Sequence, residues 1–180
     1  MAIETEVKIS VDSFKKIKEK LSKMNAEHLA TVSERNVLYD TPSGDLKKED
    51  VTLRLRYEKD TGKGDVTVTF TVKGHKINDS LKKRCEFEVD ILDQERMEDA
   101  IKAIGFVSSR IYEKVREKWL MDNVKICLDE LPFGLYVEIE GDREDILRIA
   151  EALGFKDSQL TSQTYFEIAK DKGIETDIIF

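Results

Sequence analysis

Glu4-Thr5-Glu6-Val7-Lys8 decides how this 180-residue chain is read. In an extended strand successive side chains point to opposite faces. Glu4, Glu6 and Lys8 then share one face, while Ile3, Val7 and Ile9, with Thr5 between them, take the other. Carboxylate oxygens are hard ligands for Mg²⁺ or Mn²⁺, and a lysine ammonium is a point charge for phosphate. Two acids and a base on neighbouring rungs suit a site that holds a divalent cation beside an anion. On their own they more simply suit a solvated sheet face with ordinary charge alternation. Five residues leave both readings open, but later strands repeat the pattern.

Leu53, Leu55 and Tyr57 alternate with Arg54 and Arg56 within a strand expected over Thr52 to Glu58. Val66, Val68, Phe70 and Val72 alternate with Thr67, Thr69, Thr71 and Lys73, the clearest strand in the sequence. A turn over Gly74 to Asp79 leads into a strand with Lys82, Arg84, Glu86, Glu88 and Asp90 on one face. Leu81, Cys85, Phe87, Val89 and Ile91 take the other. A long strand from Val107 to Leu120 aligns Lys114, Arg116 and Lys118. The next, Asn123 to Leu131, carries Lys125 and Asp129 opposite Val124, Ile126 and Leu128. After Pro132-Phe133-Gly134, the residues Tyr136, Glu138 and Glu140 alternate with Leu135, Val137 and Ile139.

Between these strands lie helical signals. Phe14, Ile17, Leu21 and Met24 form a stripe at helical spacing that Ser10 or Asp12 can cap. A second strand, Leu29 to Tyr39, closes on the turn Asp40-Thr41-Pro42-Ser43-Gly44. Met97, Ile101 and Ile104 mark a helix ending at Gly105. Asp142 can cap another, with Ile146, Ile149, Ala150 and Leu153 inward and Gly154 as its stop. An amphipathic segment, Thr164 to Lys170, precedes the tail Ile178-Ile179-Phe180. Eight strands joined mostly by hairpin-like turns, with three or four helices, predict an antiparallel α+β domain spanning 1–180. If the sheet closes, the charged face becomes the interior of a barrel.

Composition bounds the function. A net charge of −7 leaves no basic excess to coat a nucleic-acid backbone. No apolar run approaches membrane-spanning length, and the N-terminus lacks a signal peptide's apolar stretch, so a cytoplasmic location is expected. Cys85 and Cys127 are too few for a disulfide scaffold, and His28 and His75 stand without zinc-like spacing. Trp119 and Cys85 read as packing residues, His75 as an exposed turn residue, and Tyr39 and Tyr136 as neighbours of the barrel's mouth.

The charged face holds Glu4, Glu6, Glu86, Glu88, Asp129, Glu138 and Glu140 against Lys8, Arg54, Arg56, Lys73, Lys82, Arg84, Lys114, Arg116 and Lys125. As an ion-pair lattice so many buried charges add little stability, since desolvation offsets attraction. A site for a multiply charged anion bridged to metal accounts for them more simply.

Several of these stretches resemble one known family, in order along the chain. Glu4-Thr5-Glu6-Val7-Lys8 fits the E-x-E-x-K signature of the CYTH superfamily, the triphosphate tunnel metalloenzymes. Tyr39-Asp40-Thr41-Pro42 is similar to its turn after the second strand, and Leu53-Arg54-Leu55-Arg56 to its arginine strand. Thr71-Val72-Lys73-Gly74, Arg84-Cys85-Glu86-Phe87-Glu88 and Glu113-Lys114-Val115-Arg116 resemble its lysine, R-x-E-x-E and K-x-R strands. Leu128-Asp129 through Gly134 and Val137-Glu138-Ile139-Glu140 resemble its closing pair.

The resemblance implies an eight-stranded antiparallel tunnel with helices packed outside, admitting a triphosphate beside Mg²⁺ or Mn²⁺. It implies metal binding by Glu4, Glu6, Glu138 and Glu140, assisted by Glu88 or Asp129. Phosphate binding falls to Lys8, Arg54, Arg56, Lys73, Arg84, Lys114 and Arg116, with Glu4, Glu6, Lys8 and Lys73 at the centre of catalysis. Lys82 competes with Arg84 for its place. Three activities fit such a tunnel. One is hydrolysis of tripolyphosphate, a nucleoside triphosphate or thiamine triphosphate. Another is class IV adenylyl cyclase chemistry, from ATP to cyclic AMP and pyrophosphate. The third is non-catalytic sensing of polyphosphate or nucleotides. A small triphosphate is the expected partner, with neither nucleic acid nor membrane, in a monomer or homodimer.

Overall fold

Strands that alternate apolar and charged residues must bury one face and find partners for the other. Here both problems are solved by closing the sheet. The computed structural model describes the backbone of residues 2–75 and 82–180 and the side chains of residues 5–75 and 84–180. Its strands are β1 (Ala2–Val11), β2 (Glu27–Asp40), β3 (Thr52–Asp60), β4 (Val66–Lys73), β5 (Lys82–Asp90), β6 (Val107–Met121), β7 (Val124–Leu131) and β8 (Gly134–Glu140). All neighbours are antiparallel, and the strand order β1-β5-β4-β3-β2-β6-β7-β8 returns to β1. Strand β1 makes the closure by splitting its length. Ala2 to Glu6 pair with β5, and Glu6 to Val11 pair with β8. Such stagger is what barrel closure demands. The expected turn after Gly74 lies beyond residue 75, outside the described residues.

Two helical layers cover the apolar outer face. Helices α1 (Lys15–Lys23) and α4 (Arg143–Leu153) place Ile17, Leu21, Ile146, Ile149 and Leu153 on Val7, Ile9, Ile126, Val137 and Ile139. Helices α2 (Asp45–Lys48) and α3 (Gln94–Ala103) place Leu46, Met97 and Ile101 on Val37, Leu53, Leu55 and Val68. The short α2 follows directly on the turn expected over Asp40 to Gly44. Asp40 builds it, accepting hydrogen bonds from the backbone N–H groups of Thr41, Leu46 and Lys47 at 2.7, 2.8 and 3.0 Å.

Some local expectations are corrected. Neither Ser10 nor Asp12 caps α1; its N-cap position is Phe14, without a side-chain cap, and the Lys15 N–H donates to Ser13 Oγ. Strand β1 runs on to Val11, so the chain turns into the helix later than the first available cap. Asp142 holds the N-cap position of α4 but its side chain makes no capping bond. Tyr39 is not at the lumen's mouth. A register shift between Leu38 and Tyr39 accompanies its burial on the outer face with Val37 and Leu53. Trp119 packs outside against the α1–α4 layer with its ring edge-on to His28, and His75 is exposed.

A third cluster lies at one end of the barrel. Leu38, Tyr112, Leu131 and Tyr136 share the inward face of their strands with the charged residues. They meet Tyr165, Ile168 and Ala169 of α5 (Tyr165–Asp171), together with Ile178. Thr164 and Glu167 form the capping box that starts α5. Ile178 bridges β6 at Tyr112, and Glu113 N–H donates to its carbonyl at 2.7 Å. The C-terminal segment thus stops this end of the lumen with apolar and phenolic groups. Among the described residues no helix is long and apolar enough to cross a membrane.

Candidate functional site

The lumen begins where that stopper ends, and its charges sort by strand. On the β1–β8 wall, Glu6 lies opposite Glu140 and Lys8 opposite Glu138. Lys8 Nζ donates to Glu6 Oε1 at 2.7 Å and stands 3.2 Å from Glu138 Oε2. Burial alone would lower the Lys8 pKa, but Glu6 and Glu138 outweigh it and hold the ammonium protonated well above its ordinary range. Glu140 pairs with the exposed Lys125 at 2.8 Å, towards the open end. Glu4 continues this wall by backbone register, opposite Arg84. Its side chain, like that of Lys82, lies outside the described residues.

Across the lumen, β3, β4 and β5 carry a mixed group. Arg54 Nη2 donates to Thr71 Oγ1 at 3.0 Å and to Glu88 Oε1 at 3.3 Å. Thr71 also donates to Glu88, at 3.0 Å. Lys73 Nζ is 2.8 Å from Glu86 Oε2. The ionised form of Glu88 is favoured, its pKa falling below the usual carboxylate range. Burial opposes this and is outweighed by the Thr71 hydroxyl and by Arg54 and Arg56. Arg84 is buried but turns to the rim, bonding Asp50 Oδ1 at 2.6 Å and the carbonyls of Asp50 and Gly74 at 3.3 Å.

Strands β2, β6 and β7 supply the third group. Asp129, fully buried, accepts from Arg116 Nε at 2.6 Å through Oδ1. Its Oδ2 accepts from Arg116 Nη2 at 2.5 Å, Lys114 Nζ at 3.1 Å and the Tyr165 hydroxyl at 2.5 Å. Arg116 also reaches Glu138 Oε1 at 2.7 Å, tying this group to the β1–β8 wall. The Lys8 and Lys114 ammoniums lie 5.1 and 5.4 Å from the centre of the Tyr165 ring, within cation–π reach.

The lumen therefore brings together Glu6, Lys8, Arg54, Arg56, Lys73, Lys114, Arg116, Glu138 and, nearer the open end, Glu88 and Glu140. It sets Asp129 among cations and Arg84 at the rim. The sequence reading passed over Glu34 and Asn36, both buried on the inner face of β2, and the phenols of Tyr112 and Tyr165. In Ser33-Glu34-Arg35-Asn36 polar residues occupy both faces, so no alternation marks the inner one. The hint was Glu34 and Asn36 lying in phase with Leu38 and out of phase with Val37 and Tyr39.

Among the described residues no three acids converge closely enough to hold a metal ion. Their chemistry nevertheless fits one. Glu6, Glu138 and Glu140 offer hard oxygens from adjacent strands, and a lysine and an arginine now balance the first two. Buried polar atoms on the inner face without a hydrogen-bond partner among the described residues include Glu34 Oε1, Arg54 Nε, Arg84 Nε and Tyr136 Oη. Buried groups of this kind are costly unless something meets them.

The comparisons with known proteins agree with this geometry. A Methanocaldococcus jannaschii protein named as a candidate adenylate cyclase is 28% identical over 177 residues, covering 92% of this chain and 98% of that one. The solved structure of PH1819 protein from Pyrococcus horikoshii is 28% identical with a TM-score of 0.78, covering 94% of this chain and 99% of its own. A Vibrio parahaemolyticus structure, also named as a candidate adenylate cyclase, shares the fold at 19% identity and a TM-score of 0.79, over 93% and 98% of the two chains. HpAC1 from Hippeastrum, described as having a dominant triphosphatase activity, superimposes with a TM-score of 0.66 at 19% identity over 96% of each chain. A family model described as CYTH domain matches residues 2–171. Closed into an eight-stranded barrel with its charges turned inward, and matched over nearly its whole length, this chain belongs to the CYTH family.

Proposed function

We propose that this protein is a divalent-cation-dependent enzyme acting on a small triphosphate drawn into the lumen. One observation carries the reading. Arg54, Arg56, Lys114 and Arg116 face Glu6, Glu138 and Glu140 inside a single closed barrel. As structure alone the arrangement is expensive, because hydrophobic residues of similar volume would hold a barrel together as well or better. As a site it is apt. Guanidinium forks and ammoniums bind phosphoryl oxygens, and the acids would hold Mg²⁺ or Mn²⁺. The cation supplies charge neutralisation at the phosphorus under attack.

The chain's own residues would do the rest. Lys8, between Glu6 and Glu138, is kept cationic, and with those acids engaged by a divalent ion it would be free to bind a phosphoryl oxygen. Arg54, Arg56, Lys73, Lys114 and Arg116 would fix the chain of phosphates along the lumen. The α5 stopper limits how far it enters and excludes water from that end. Catalysis by positioning and charge neutralisation needs little further covalent chemistry from the protein.

Water and a ribose 3′-hydroxyl are the two nucleophiles that such a site serves. Hydrolysis and cyclisation stand side by side as readings, since the phosphate- and metal-binding groups of the lumen's walls serve both. The cyclase reading draws on the name of the M. jannaschii relative. Incubation with tripolyphosphate, ATP and thiamine triphosphate, each with Mg²⁺ or Mn²⁺, decides between them. Orthophosphate marks a triphosphatase, and cyclic AMP with pyrophosphate marks a cyclase. Saturable binding without any product would return the protein to a sensor's role. Glu4→Gln and Glu6→Gln each lower metal-dependent turnover on the order of a hundredfold, with the barrel still folded by circular dichroism. Undiminished turnover in both variants overturns the assignment of the acids.

A further inference from the structure

The cationic wall holds an acid that phosphate binding leaves unexplained. Glu34, at the middle of β2, is 1% exposed. Its Oε2 lies 3.5 Å from both Arg56 Nε and Lys114 Nζ, and its Oε1 lies 3.7 Å from Arg116 Nε. Oε1 accepts no hydrogen bond from the described residues, and Oε2 accepts a long one, 3.4 Å, from Asn36 Nδ2. Asn36 is buried too, and its Oδ1 accepts from Arg56 Nε at 3.1 Å. Burial alone would raise the Glu34 pKa. Arg56, Lys114, Arg116 and Arg54 outweigh it and keep the group ionised far below the usual carboxylate range.

By charge counting, an anion in the middle of an anion-binding wall weakens binding. Its geometry points elsewhere. Asp129 and Glu6 grip their cations through short charge-assisted bonds, to Arg116 at 2.5 Å and to Lys8 at 2.7 Å. Glu34 stands off from three cations at once, at distances where Coulomb attraction persists but hydrogen-bond direction is lost. We propose that Glu34, steadied by Asn36, is a positioning residue for triphosphate binding. It is a fixed counter-charge that gathers Arg56, Lys114 and Arg116 onto one point against their mutual repulsion. Their N–H groups are then directed by the incoming phosphoryl oxygens. The inference rests on the triphosphate reading of the lumen.

Variants at Glu34 and Asn36 test it against charge counting. Glu34→Gln keeps the shape and removes the charge, while Asn36→Ala keeps the charge and removes its support. Binding of inorganic tripolyphosphate is measured by calorimetry in EDTA, and KM and kcat with Mg²⁺ for a triphosphate that the wild type consumes. Positioning predicts that Glu34→Gln binds about tenfold more weakly, an effect the size of a lost charge-assisted contact. KM should rise more than kcat falls, and Glu34→Asp should recover part of the loss. Asn36→Ala should weaken binding about threefold, and Glu34→Asp, which keeps the charge but withdraws it from the three cations, decides the question by weaker binding if Glu34→Gln does not fold. Charge counting predicts tighter binding for Glu34→Gln and no change for Asn36→Ala. Variants that bind as tightly as the wild type, or more tightly, overturn the positioning role and leave the triphosphate reading standing. A wild-type protein that neither binds tripolyphosphate nor turns over a triphosphate overturns both.

Discussion

Asp129 and Cys127 are neighbours on the inner face of β7, and the same surroundings give them opposite characters. Asp129 is satisfied on both oxygens by Arg116, Lys114 and Tyr165, so its charge is spent on holding two cations and a phenol in place. For Cys127 the balance runs the other way. Burial, then Asp129 and Glu138, push its thiol up to about 12 despite Arg116 and Lys114. A thiol at that value carries almost no thiolate at neutral pH, so Cys127 is an inert lining residue. Iodoacetamide at pH 8 should therefore label the half-buried Cys85 first and reach Cys127 only on unfolding, as peptide mass mapping would show. Rapid native-state labelling of Cys127 would contradict the described burial.

At the scale of elements, helix ends were the least legible part of the chain. Ser10, Asp12 and Asp142 all have the side chains of capping residues, and none makes a capping bond. A cap depends on where the chain leaves its strand, and that is set by pairing with a partner distant in sequence. Thr164 and Glu167 do form their box, with both members in the same turn. Gly154 is equally local and was read correctly as the stop of α4. It adopts φ +88, and a Cβ there would stand 2.5 Å from Lys20 Nζ, which donates to the Leu153 carbonyl. Gly154→Ala should cost about 1–2 kcal/mol, lowering the thermal midpoint by roughly 2–8 °C for a chain of this size. Differential scanning calorimetry measures it, and an unchanged midpoint would show that this corner relaxes freely.

For the whole molecule the buried charges make stability depend on pH. Glu34 and Glu88 have folded pKa values below their ordinary ones. Depressed carboxylates contribute stability that is complete above the unfolded value, about 4.3, and is lost as pH falls towards the folded value. Lys8 has a raised pKa, so its contribution is complete below the unfolded value, about 10.4, and fails only as pH rises beyond it. Thermal midpoints should therefore stay level between about pH 5 and 9 and fall steeply below about pH 4. Glu34→Gln should flatten the acid limb. A wild-type midpoint unmoved down to pH 3 would mean that these carboxylates gain nothing from folding.

The period of two in Leu53 to Tyr57, Val66 to Lys73 and Leu135 to Glu140 was enough to mark the strands and their charged faces, while the ordered motifs from Glu4 to Glu140 carried the resemblance to the family. Side-chain alternation is a property of each strand alone, independent of its neighbours. Three matters waited for the folded chain. Closure depends on how β1 divides its pairing between β5 and β8, which no single strand encodes. The stopper gathers Tyr112, Tyr136 and Tyr165 from three distant stretches. The place of Glu34 among Arg56, Lys114 and Arg116 arises because β2 lies between β3 and β6 in the barrel, and a mixed polar run carries no sign of which face will be enclosed.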